Sequence, residues 1–131
     1  MAMPYSLLAQ QPVNDNTSYS GKSTKFAIMV SDVIHFRAAI QTAQAMDINK
    51  NGFTFEVVVV GELAKDLVVD KSLKSDIDQS IQLGVKTVVC ENALTFFDVP
   101  IKQLDHRLLT VKNAWIYMFE LKDKGYNTLS V

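Results

Sequence analysis

Four valines in a row, Val57 to Val60, close the segment Phe53–Val60. Valine branches at Cβ and crowds a helical turn, whereas it packs well on a pleated surface. A strand that is apolar at every position also has no face to offer water. It must be covered on both sides, which is the condition of parallel sheets in α/β proteins. No other segment constrains the fold as strongly.

The rest of the chain fits that constraint. Phe26–Val30 and Val85–Cys90 are further short apolar runs, and Leu108–Val111 and Tyr126–Val131 complete five expected strands. Between the first two strands, Ser31-Asp32 offers helix-capping chemistry, and Phe36, Ala39, Ile40, Ala43 and Met46 share one helical face. Asn49-Lys50-Asn51-Gly52 ends that helix in a turn. Leu73, Ile77 and Ile81 recur every four residues and predict a helix that stops at Leu83-Gly84. Glu91–Asp98 is a short helix halted before Pro100, and Asn113–Lys124 a longer one ending at Gly125. Residues 61–72 read as an irregular connection, with Leu63, Leu67, Val68 and Val69 in need of cover from their own domain or another subunit.

The resulting order, β-α-β-α-β-α-β-α-β, predicts a three-layer α/β/α sandwich on a mostly parallel five-stranded sheet. Right-handed crossovers bring the carboxyl ends of parallel strands to one edge, where such folds bind ligands. That edge is expected to hold Ser31-Asp32, Gly61-Glu62, Cys90-Glu91-Asn92 and Lys112-Asn113. Residues 1–24 are rich in Gln, Asn, Ser and Thr without periodicity, so a disordered or extended arm is expected to precede a single domain over residues 25–131.

Cys90 is the only cysteine. It ends a strand just before a helix, where backbone N–H groups favour thiolate over thiol. The adjacent Glu91 would oppose ionisation if it points the same way. The alternative is a small buried hydrophobe, the usual condition of a free cysteine. One cysteine cannot close an internal disulfide, and with only His35 and His106 to join it no zinc site is expected. His35 falls in the first turn of the first helix and could exchange protons at the edge; His106 falls in a polar connection.

Other chemistries lack their residues. The turn Val30-Ser31-Asp32-Val33 has neither the glycines of a dinucleotide or phosphate loop nor a hydroxyl-rich run, so no cofactor is expected. No glycine-flanked serine suggests a hydrolase. Thirteen basic against fourteen acidic residues give a formal charge of -1, which argues against nucleic acid or an anionic membrane as a partner. No apolar run is long enough to cross a bilayer and no basic residue precedes the patch Tyr5–Ala9, so a cytoplasmic location is expected.

The segment from Ile81 to Leu94, with its Leu83-Gly84-Val85 entry, Cys90 at the strand end and Asn92-Ala93-Leu94 beyond, resembles the DsrE/DsrF-like proteins of the DsrEFH superfamily. So do Val111–Trp115 and the ending Leu121–Tyr126. The likeness runs from about Lys25 to Val131. It implies that superfamily's three-layer fold on five strands and assembly as a homo-oligomer. It also implies a sulfur-relay role, with Cys90 accepting sulfur as a persulfide from a donor protein and passing it to an acceptor. With no second cysteine, any transfer must go to another molecule. A non-catalytic, oligomeric module binding a small molecule or protein is the alternative.

Overall fold

A computed structural model describes residues 18–131. Five strands, β1 (Lys25–Val30), β2 (Thr54–Val59), β3 (Lys86–Cys90), β4 (Leu109–Val111) and β5 (Asn127–Ser130), form one sheet in the order β4-β3-β2-β1-β5. Every pairing is parallel, where a mostly parallel sheet was expected. Six helices connect them: α1 (Val33–Ala45), α2 (Ile48–Asn51), α3 (Glu62–Val69), α4 (Lys74–Gln82), α5 (Glu91–Phe96) and α6 (Ala114–Asp123). The layered α/β architecture predicted from the alternating apolar runs is the observed one.

The two faces of the sheet are covered unequally. Phe26, Ile28, Val30, Phe55, Val57, Val59 and Val89 meet the buried sides of α1, α3, α4 and α5 in the larger core. The opposite face, with Ala27, Val58 and Cys90, meets Ala114 and Leu121 of α6 in a much smaller cluster. Among the described residues, α6 is the single helix on that side, as the crossover between the two edge strands, β4 and β5.

The N-terminus of α1 forms as its sequence predicts. Asp32 is the cap, and its Oδ1 accepts the His35 amide at 2.9 Å. Phe36, Ala39, Ile40 and Ala43 are buried along one face.

The stretch after β2 differs from expectation. Residues 62–69 are helical, not irregular, and a 3-10 turn at Lys71–Leu73 leads into α4. Leu63, Ala64, Leu67 and Val68 are spaced one helical turn apart in pairs and are buried in the chain's own core, while Val69 remains exposed. The helix has no side-chain cap to announce it. Its start is set by Gly61, whose backbone (φ 63°, ψ −149°) lies in a region reserved for glycine. A second small helix, α2, occupies the turn after α1, between the left-handed Asp47 and the left-handed Gly52.

Most of the arm expected over residues 1–24 lies outside the described residues. In its described part, Tyr19 packs edge-on against Phe26 and Phe53.

Candidate functional site

The carboxyl ends of β2, β3 and β4 surround a hollow of about 410 Å³. Three helix starts meet there: Gly61 before α3, Cys90 before α5 and Asn113 before α6. The walls are largely aromatic and aliphatic, from Val60, Phe96, Phe97 and Trp115. Asn92 and Asn113 supply amide groups. Among the described residues, none that lines the hollow carries a charge.

Cys90 lies on this wall. It ends β3, paired in register with Val111 of β4, and its residue surface is 8% exposed. It therefore combines both features read from the sequence: it is packed within the small core under α6 and also faces the hollow. The thiol donates weakly to the Lys112 carbonyl, with sulfur and oxygen 3.9 Å apart. The same carbonyl accepts the Asn92 amide at 3.1 Å and so ties the start of α5 to the end of β4.

Other expected residues are placed differently. Of the edge quartet, Gly61, Cys90, Asn92 and Asn113 come together at the hollow, and its carboxylates are engaged elsewhere. Asp32 is turned to His35, whose ring Nδ1 donates to Oδ2 at 2.6 Å. The His35 amide, and then its ring, hold the Asp32 carboxyl below the ordinary range. Glu62 pairs with Lys65 at 3.4 Å. Glu91 accepts the Thr110 hydroxyl at 2.7 Å. Because strand side chains alternate, Thr110 points to the face opposite Val111 and Cys90, so the Glu91 carboxylate is drawn away from the thiol. His35 is bound to its own helix cap, and His106 sits in a turn before β4, at the other end of the sheet. Neither lines the hollow.

Sequence reasoning missed the walls and their support. Phe96 and Trp115 are 79% and 65% exposed, and the available signal was a large aromatic on each of the helices that follow Cys90 and Asn113. Under α6, Glu56 is almost fully buried, and Tyr117 Oη donates to its Oε1. Burial first, and then this carboxylate, raise the pKa of Tyr117; the same two causes raise that of Tyr126. The signal for this cluster was a glutamate interrupting the apolar run Phe53–Val60.

The arrangement can hold an apolar ligand of moderate size against a sulfur atom. Hollows of this volume, mostly apolar with a few polar groups, are ordinary small-molecule sites. Helix starts favour negative charge at the sulfur by about 0.3–1 kcal/mol each where their N–H groups are free. Those of α6 are already engaged, as Asn113 Oδ1 accepts the Trp115 and Ile116 amides at 3.0 and 3.2 Å, and at the start of α5 the Asn92 amide is engaged by the Lys112 carbonyl.

No family model matches the chain, and no curated protein matches it in sequence. Solved structures do. A protein of unknown function from Methanobacterium thermoautotrophicum superposes with a TM-score of 0.72 at 14% identity, over 83% of this chain and 100% of the other. A second protein of unknown function, from Bacteroides thetaiotaomicron, gives 0.63 at 17% identity, over 82% of this chain and 95% of the other. At these identities the likeness establishes the fold alone: this chain shares its parallel α/β architecture with both proteins.

Proposed function

We propose that the protein is a sulfur carrier of the DsrE/DsrF-like type, working through a persulfide on Cys90. One observation carries the reading: the chain's only sulfhydryl lies at the carboxyl edge of the sheet, on the wall of a hollow formed where three helices begin. The Cys90 thiolate attacks the outer sulfur of a donor persulfide. The donor's S–S bond breaks, the donor leaves as a thiolate, and Cys90 holds the transferred sulfur. A thiolate of the acceptor then attacks that outer sulfur and releases Cys90. The reading includes a cytoplasmic location, a protein donor and acceptor, and assembly as a homo-oligomer. The Glu91 carboxylate accepts the Thr110 hydroxyl, on the face of the sheet opposite Cys90, which supports the reading by turning that charge away from the thiol.

The test is chemical. Folded protein is treated with a thiol reagent and, separately, with a small persulfide donor. The expected result is labelling of Cys90 in the native state and a gain in mass of one sulfur atom, both abolished in Cys90→Ser. A thiol that reacts only after unfolding would sink the proposal.

The 8% exposure of Cys90 and the uncharged, apolar walls favour a second reading, a non-catalytic binding module. There the hollow holds an apolar molecule or peptide side chain and the cysteine is packing. Cys90→Ser then keeps full ligand or partner binding, whereas the carrier loses its transfer activity.

A further inference from the structure

Phe96 and Trp115 line the Cys90 hollow and yet remain largely bare to solvent. They come from different helices, α5 and α6, so both helices make the rim apolar. The hollow, about 410 Å³, is much larger than one sulfur atom needs and lies within the range that seats small molecules, about 300–1,000 Å³. Among the described residues its walls carry no charge, and two charged side chains near it are already engaged. Glu91 accepts the Thr110 hydroxyl, and Lys65, whose ammonium lies 5.7 Å from the centre of the Phe97 ring, is joined to Glu62. A carboxylate or ammonium entering the hollow gives up water and meets no opposite charge, which is unfavourable. Polar recognition falls to amides. Asn113 uses its Oδ1 on the α6 amides and keeps its Nδ2 hydrogens for a ligand carbonyl, and Asn92, also on the wall, is exposed.

We infer that Phe96 and Trp115 select the donor: they admit a cysteine persulfide carried on an uncharged peptide segment with a large apolar side chain beside the cysteine, and they turn away charged donors. The apolar neighbour fills the hollow, the asparagine amides meet the peptide bond, and the donor's outer sulfur comes to Cys90. The Cys90 thiolate takes that sulfur, the donor's S–S bond breaks, and the donor leaves as its thiolate. This rests on the sulfur-carrier reading and adds to it the chemistry of the segment that delivers the sulfur.

Mass spectrometry of the full chain, following sulfur loading on Cys90, tests it. The donors are the persulfides of two end-blocked peptides, Gly-Leu-Cys-Leu-Gly and Gly-Glu-Cys-Glu-Gly, and of glutathione, which carries two carboxylates. Each rate is taken relative to the same donor's rate with free cysteine, which removes differences in intrinsic reactivity. The leucine peptide is expected to load Cys90 about tenfold faster than either charged donor. Phe96→Lys, at a residue 79% exposed, should slow the leucine peptide and speed the glutamate peptide. Trp115→Ala should reduce the leucine peptide's advantage and provides a second test should the first variant fail to fold. The persulfide of N-acetylcysteine amide, small and uncharged, should load wild type and Phe96→Lys alike, whereas a merely structural role for Phe96 would slow every donor together. Equal loading by the peptides and glutathione, or variants that keep the wild-type preference, overturns the inference and leaves the carrier reading standing. Failure of every donor, the small uncharged one included, overturns both.

Discussion

Gly61 and Glu56 show how single residues set the site. With φ at +63° and ψ at −149°, Gly61 turns the chain from β2 into α3 at the mouth of the Cys90 hollow. A methyl group there would meet nothing closer than Ser31 Cβ at 3.6 Å, so the requirement for glycine is conformational and not steric. Gly61→Ala is expected to cost about 1–3 kcal/mol, measurable as a lower urea midpoint, and to shift the start of α3 against the hollow. Glu56 presents the opposite problem, a carboxylate taken out of water and held by the Tyr117 hydroxyl. Tyr117→Phe removes that donor and should cost about 1–3 kcal/mol. A stability equal to wild type would mean that the carboxylate finds another partner or water.

At the scale of elements, α6 serves two purposes. Its inner side closes the small core around Ala27, Val58 and Cys90, and its first residues wall the hollow. Asn113 fixes where it starts by accepting two amides. Asn113→Ala should therefore destabilise the protein by about 1 kcal/mol. If the cap also positions Trp115, thiol labelling of Cys90 should change in rate; an unchanged rate would separate the helix start from access to the sulfur. Helix α4 is tied instead to the turn before β4, because Arg107 Nη2 donates to Asp78 at 2.7 Å and to Asp105 at 2.7 Å.

For the whole molecule, that tie gives a pH dependence. The Arg107 guanidinium, through its hydrogen bonds, holds the Asp105 carboxyl at about 2, below its ordinary 3.8. A carboxyl depressed in the folded state contributes stability above its unfolded pKa, and the contribution is lost as pH falls through the folded value. The stability difference between wild type and Arg107→Ala should thus be full above about pH 4 and fade toward pH 2. A difference that persists undiminished at pH 2 would place the effect in packing. The unequal cover of the two faces is also a property of the whole: among the described residues five helices, α1 to α5, bury side chains against one face, and one helix, apolar on its outer side, is left for the other.

The sequence by itself determined the strands and their order along the chain, because parallel strands buried on both faces write themselves as apolar runs such as Val57–Val60. It placed Cys90 at the carboxyl end of its strand for the same reason. It did not disclose α3, whose start depends on a backbone conformation at Gly61 and not on a capping side chain. Nor did it disclose which edge residues share a hollow. Tertiary structure decided that Glu91 turns to Thr110 and Asp32 to His35, that Phe96 and Trp115 wall the hollow, and that Glu56 meets Tyr117 across sixty-one residues of chain. Such contacts join segments far apart in the chain, and local periodicity records only what each segment buries, not what it meets.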